Sequence, residues 1–170
     1  MKRKNSTVSI DTPITYQSIG WLQTPFTDIA GMPIQPSGAR GVRGTLQVKD
    51  DFVPGLRDLD GFSHIICLYH LHRCAGYALE VTPFLDQVAH GIFATRSPKR
   101  PNAIGLSVLR LMAITGNTLH LEDVDMLDGT PVLDIKPYVP AFDAPAADRF
   151  DWFTETAERA STAKSDERFR

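Results

Sequence analysis

The segment Gly91–Ser107, GIFATRSPKRPNAIGLS, crowds basic side chains among turn-forming residues. Between Gly91 and Arg110 lie Arg96, Lys99, Arg100 and Arg110 and no acid, a local +4 in a chain whose formal net charge is 18 − 20 = −2. Pro98 and Pro101 fix φ and remove two backbone donors, so the loop is stiff. A stiff loop holds guanidinium forks ready for a carboxylate or phosphate at low entropic cost. The alternative reading is a rigid surface turn carrying dispersed charge.

Three further groups have chemistry in their spacing. Leu121–Asp128, LEDVDMLD, holds four carboxylates in eight residues. Folded back as a hairpin, it can lie beside the basic loop, where carboxylates and turn carbonyls suit a sulfonium or ribose hydroxyls. It also reads as the charged end of a hairpin. Asp134, Lys136 and Tyr138 share one strand face by period two, with Val132 on that face and Leu133 and Ile135 turned to the core. Asp134 can take a proton from an attacking amine, and Lys136 can tune it or bind a substrate carboxylate. A surface ion pair capped by a tyrosine is the plainer account. Asn102 and Ser107 are candidates of the same kind. His70, His72 and Cys74 share one parity, with Cys67 on the other. A His-x-His pair is how metal sites in β-barrels begin, with Glu80 or His90 as further ligands. A metal-dependent barrel enzyme is therefore a rival reading.

The loop and the later block Leu127–Tyr138, LDGTPVLDIKPY, together resemble the signatures of the TsaA-like (TrmO, VirR) family. The loop pattern there is roughly G-[VI]-F-A-T-R-S-P-x-R-P-N-P-I-G-[LM]-S. Weaker matches lie at Ile19-Gly20, Thr24-Pro25, Gln35-Pro36, Gly55-Leu56 and Phe62-Ser63-His64, so the resemblance covers about residues 16–140. Ala103 stands where the family usually has proline, which loosens the loop.

The resemblance implies S-adenosylmethionine bound on a β-barrel. No G-x-G-x-x-G follows a strand here, in keeping with that difference from dinucleotide folds. By position, the implied cofactor contacts are Pro33, Ile34, Gln35, Leu71, His72, Arg96, Leu106, Asp125, Met126, Leu127 and Asp128. Arg96 suits the methionine carboxylate, Leu106, Met126 and Leu127 the adenine, and Gln35 can both donate and accept. The implied activity is methyl transfer to tRNA, at the N6 nitrogen of threonylcarbamoyl-adenosine beside the anticodon. Asp134, Lys136 and Tyr138 are the expected catalytic residues. Arg43, Lys99, Arg100 and Asn102 are the expected tRNA contacts. A SAM-binding regulator or a small-molecule methyltransferase with the same pocket is the alternative. Relatives are thought to pair, so a homodimer is expected. Longer members carry a further C-terminal domain with no counterpart in these residues.

What must position these groups is a fold of modest size. A chain of 170 residues with 42% hydrophobic and 22% charged residues is ordinary for one globular domain. Two cysteines make no disulfide framework. No apolar run approaches the ~18 residues of a membrane span, and the basic start lacks a signal-peptide apolar region. A cytoplasmic protein is expected.

Short apolar runs broken by turn residues predict an all-β fold, a single antiparallel barrel of about 7–8 strands. The runs are 14–21, 40–48, 62–72, 76–81, 104–114, 118–124 and 132–138. Gly116-Asn117 reads as a tight hairpin turn and Asp128-Gly129 as another. Phe150, Phe153, Ala157 and Ala160, spaced by three and four after Pro145, predict one terminal helix over 146–163. The expected layout is a flexible tail at 1–12, the barrel at 13–143, and the helix with its tail at 144–170.

Overall fold

In the computed structural model residues 13–169 are described, so the expected tail at 1–12 lies outside the described residues. The strands are β1 (Gly20–Gln23), β2 (Arg43–Val48), β3 (His64–His70), β4 (Glu80–Val81), β5 (His90–Gly91), β6 (Ile104–Thr115), β7 (Thr118–Glu122) and β8 (Pro131–Pro137). Six of them, rather than the expected 7–8, close an antiparallel barrel in the order β1-β2-β7-β6-β3-β8, because β4 and β5 pair with each other in a separate two-stranded sheet. Closure leaves no free edge among the six.

The barrel interior follows from period-two alternation. Leu46 and Val48 of β2, Ile65, Cys67 and Tyr69 of β3, Leu109 of β6, and Leu119 and Leu121 of β7 all point inward and are buried. Burial pushes the Cys67 thiol up to about 12, with the nearby carboxylates Asp125 and Asp134 adding to the effect, so it packs as a neutral core atom. Leu109 is fully enclosed. Leu109→Ala is expected to cost about 2–5 kcal/mol, read from a lower urea midpoint at unchanged m-value.

The β6–β7 turn forms as expected. Gly116 takes φ +60°, the positive value that the first central residue of a II′ turn needs. Gly129 sits at φ +73° in the turn before β8.

Four further expectations are corrected. Val132 does not share a face with Asp134. Leu68 pairs with Asp134 but Tyr69 with Val132, so a bulge at Leu133 resets the alternation. Val132 is buried in the core, and Ile135 packs against it. The 14–21 run forms strand only from Gly20. In the 76–81 run only Glu80–Val81 pairs, because its partner β5 is itself two residues long.

The fourth correction is the terminal helix, which is replaced by 3-10 turns at Asp151–Thr154, Ala157–Ser161 and Glu167–Phe169. Asp151 holds φ +45°, outside the helical region. The hydroxyls of Thr154, Thr156, Ser161 and Thr162 bond carbonyls three or four residues back, competing with a backbone ladder. Among the described residues, the one α-helical turn is α1 (Pro140–Asp143). No helix there is long and apolar enough to cross a membrane.

The topology places three long connections at one mouth of the barrel. These are 24–42 between β1 and β2, 71–103 between β3 and β6, and 123–130 between β7 and β8.

Candidate functional site

The three connections and the C-terminal segment enclose a cleft of about 1530 Å³ at that mouth. Its floor is the open end of the barrel core. Tyr69 at the end of β3 and Ser107 near the start of β6 both turn inward by alternation. Asp125 follows β7 and is buried beside them. Ser107 Oγ donates to Asp125 Oδ1 at 2.8 Å. With that proton committed, the Tyr69 hydroxyl donates to Ser107 Oγ at 3.2 Å. The result is a buried chain, phenol to hydroxyl to carboxylate.

Burial dominates the electrostatics of this chain. It raises Asp125 from 3.8 to about 6, against the Ser107 hydrogen bond, a backbone N–H and the Arg96 charge, which lower it. Burial and then the Asp125 charge also raise the Tyr69 phenol, which therefore stays protonated as a donor. Folded Asp125 keeps its proton to about pH 6, whereas an unfolded aspartate loses it near 3.8. Its contribution thus favours the fold below about pH 4 and falls as pH rises through 6, by about 3 kcal/mol in all. Asp125→Asn removes that titration while keeping an oxygen for Ser107. The variant is expected to gain stability relative to the parent as pH rises from 4 to 7, in urea unfolding at several pH values. A constant difference would contradict this.

The walls carry the polar contacts. Arg96 stands on the basic loop, and its Nη1 donates to Gln35 Oε1 across the cleft at 2.7 Å. The loop is held from inside. Thr95 Oγ1 donates to the Ile92 carbonyl at 2.9 Å and accepts from the Ser97 N–H at 3.2 Å. Arg100 Nη1 donates to the carbonyls of Ile92 and Thr95 at 3.2 and 3.0 Å. The Ser97 hydroxyl is buried without a hydrogen-bond partner while its residue lines the cleft. His72 lies against Thr130, 3.4 Å from Nδ1 to Oγ1. Partial burial, then the Arg73 and His70 charges, hold its pKa below the usual value, so it is neutral at pH 7.

Of the cofactor residues expected from the sequence, Pro33, Ile34, Gln35, Leu71, His72, Arg96, Leu106, Asp125, Met126 and Leu127 all line this one cleft. Asp128 does not. Its Oδ1 accepts the Thr24 N–H at 3.0 Å and ties the 123–130 loop to the end of β1. Of the expected tRNA contacts, Arg100 lines the cleft. Lys99 donates to the Ala75 carbonyl at 2.8 Å. Arg43 sits outside, 3.8 Å from Glu122, and Asn102 is exposed on the loop.

The structure does not bring Asp134, Lys136 and Tyr138 to the cleft. Asp134 sits at the middle of β8 opposite Leu68, Lys136 pairs with Ile66 near the start of β3, and Tyr138 follows the strand and bonds the His64 carbonyl, so the row leads towards the opposite end of the barrel. There Lys136 Nζ meets Asp134 Oδ2 at 2.7 Å on an exposed face, and Tyr138 packs edge-on to His64. The strand runs away from the mouth, which periodicity on one strand cannot reveal. His70 is exposed and His72 lines the cleft. Among the described residues, no three His, Cys, Asp or Glu side chains gather where they could hold a metal.

Tyr69 and the C-terminal residues Trp152 and Phe153 also line the cleft and were not anticipated. Tyr69 had a signal, its inward parity in an apolar run. Phe153 had only its place in the apolar spacing of the expected terminal helix, and Trp152 had none.

A family model described as the tRNA-methyltransferase O N-terminal domain matches residues 21–144. A probable S-adenosyl-L-methionine-binding protein of Pyrococcus abyssi is 47% identical over 156 residues, covering 92% of this chain and 85% of its own. A tRNA (adenine(37)-N6)-methyltransferase of Mus musculus is 40% identical over 136 residues, covering 76% of this chain but 32% of its own. The crystal structure of TrmO from Pseudomonas aeruginosa superposes with a TM-score of 0.70 at 38% identity, covering 83% of this chain and 63% of that one. The chain thus spans most of the archaeal relative, about a third of the mouse enzyme and under two thirds of the bacterial structure. With a model matched over residues 21–144 and a relative 47% identical over 92% of the chain, the chain belongs to the tRNA-methyltransferase O N-terminal domain family.

Proposed function

We propose that the protein binds S-adenosylmethionine in the cleft and transfers its methyl group to an adenine of tRNA. The finer reading is the N6 nitrogen of threonylcarbamoyl-adenosine beside the anticodon, in the cytoplasm, by a homodimer. The observation that carries the reading is the convergence of separate sequence motifs on one cleft, with Arg96, Gln35 and Asp125 as its polar groups. The names of the relatives support the ligand and the acceptor class.

The residues present fit such a ligand. Arg96 offers a fork for a carboxylate. Asp125 offers a buried anion for an ammonium or sulfonium. Leu106, Met126 and Leu127 offer apolar surface for a purine. The Ser97 hydroxyl, buried and unpartnered, adds hydrogen-bonding capacity to the wall. The volume exceeds the ~300–1,000 Å³ usual for one small-molecule site, which leaves room for an acceptor nucleoside.

S-adenosylmethionine supplies an electrophilic methyl on a sulfonium, and charge at sulfur is lost as the methyl moves. The protein's task is mainly to align and to exclude water. Arg96 and Gln35 fix one end of the ligand, and the apolar wall at Leu106 and Met126 fixes the other. A base in an anticodon loop is already single-stranded, so no duplex need be opened.

Calorimetric titration with S-adenosylmethionine and S-adenosylhomocysteine tests the pocket, with micromolar saturable binding expected. Methyl transfer to tRNA lacking the mark tests the acceptor. Binding of the cofactor without salt-dependent binding of tRNA would favour a cofactor-binding regulator or a small-molecule methyltransferase instead.

A further inference from the structure

The family match ends at residue 144, yet the chain beyond it returns to the cleft. Residues 147–153, with Ala157, Ala160, Ser165 and Phe169, form part of its lining. This strap has no regular helix, so its order comes from what it grips. It grips two loops in particular.

The first is the basic loop. Trp152 Nε1 donates to the Ala94 carbonyl at 3.0 Å, two residues before Arg96. The same ring stacks on His90, at 4.8 Å and 15°, and His90 is held by Asp86 at 2.9 Å. The second is the loop carrying Gln35. The Gly31 N–H bonds the Ser165 carbonyl at 2.8 Å, and the Ser165 N–H bonds the Met32 carbonyl at 2.9 Å. The Ser165 hydroxyl donates to the Ile29 carbonyl and accepts the Met32 N–H at 3.1 Å. Ala160 is buried against Gly38, where any Cβ would lie 3.2 Å from the Ala160 carbonyl. Beyond these anchors the strap end is fixed by Phe169, edge-on to Phe84 at 5.0 Å.

Arg96 and Gln35 meet across the cleft at 2.7 Å. Each therefore stands on a loop that the strap ties down within a few residues of it. We infer that residues 147–169 are the outer wall of the cofactor site, and that Trp152 and Ser165 are positioning residues that set the separation of Arg96 and Gln35. The inference rests on the cofactor reading above. A ligand seated between Arg96, Gln35 and Asp125 lies under the strap and is held by a clamp the strap adjusts.

The test uses the full chain. The chain has two tryptophans, and Trp21 lies outside the cleft lining, so Trp21→Phe leaves Trp152 as the reporter. Titration of that variant with S-adenosylhomocysteine is followed by fluorescence and by calorimetry on the same sample. Hydrogen exchange of residues 147–165 is read with and without the ligand. Expected are a saturable change in Trp152 emission with the calorimetric affinity, and slower exchange in the strap. Trp152→Phe, which keeps a ring but loses the donor, is expected to weaken affinity about fivefold, the effect of one hydrogen bond. Ser165→Ala should do the same and Ser165→Thr restore it, with thermal midpoints unchanged. Calorimetric binding with a silent Trp152, unchanged strap exchange and unaltered affinity in both variants would overturn the inference and leave the cofactor reading standing. No calorimetric binding at all would overturn both.

Discussion

Arg96→Ala is expected to weaken binding of S-adenosylmethionine tenfold or more in calorimetric titration. Its guanidinium lines the cleft, and among the described residues it makes no ion pair and donates to the neutral amide oxygen of Gln35. A charge-assisted bond from such a group to a carboxylate is worth roughly 1.5–3 kcal/mol, about ten- to a hundredfold in affinity. Arg96→Lys should recover only part of this, because an ammonium cannot present two parallel N–H bonds. A second consequence separates this account from a merely misfolded loop. The Arg96 charge lowers the Asp125 pKa. Without it Asp125 holds its proton to higher pH, so any binding that requires the Asp125 anion should lose its low-pH limb earlier. Full affinity in a folded Arg96→Ala variant would show that the ligand carboxylate is bound elsewhere.

The sequence made the cleft legible through its loops. Pro98 and Pro101 announced a stiff basic turn, and the LEDVDMLD run announced an acidic partner. Arg96 and Asp125 indeed line one cleft. The barrel was legible because β2, β3, β7 and the first part of β6 alternate, up to the irregularity at Leu111–Ala113, and Gly116 marked the turn between β6 and β7. Two things were hidden for physical reasons. The bulge at Leu133 reverses parity partway along β8, so Val132 faces the core although its spacing put it beside Asp134. Likewise, Asp134, Lys136 and Tyr138 are legible as neighbours, but which end of the barrel they reach depends on closure with β3. The strap was hidden more deeply. Its aromatic and alanine spacing is helical, but its tertiary bonds to Ala94, Leu85 and the Ile29–Met32 loop outweigh local propensity. Such bonds join residues over 50 positions apart and leave no local pattern.

Gly105→Ala is expected to be among the most damaging single substitutions near the site, although it adds one methyl. Gly105 is the second residue of β6, paired opposite Tyr69, and its φ is not positive. The backbone there does not demand glycine, and glycine within a strand costs about 0.5–1 kcal/mol relative to alanine. The space demands it. A Cβ on Gly105 would lie 2.3 Å from Tyr69 Cε2, 2.4 Å from Cζ and 2.8 Å from the hydroxyl oxygen. The obstacle is a rigid ring, only 9% exposed and packed in the barrel core, and no flexible chain end is available to swing aside. Overpacking of this kind costs about 1–3 kcal/mol. The ring that must shift is also the donor to Ser107, which holds Asp125, so cofactor affinity should fall along with stability. The two losses share one cause, and a double-mutant cycle isolates it. In a Tyr69→Ala background the added methyl meets no ring, so Gly105→Ala should then cost little or even stabilise β6. Strict additivity of the two substitutions in urea unfolding would mean that the tyrosine ring is not what fixes glycine at this position.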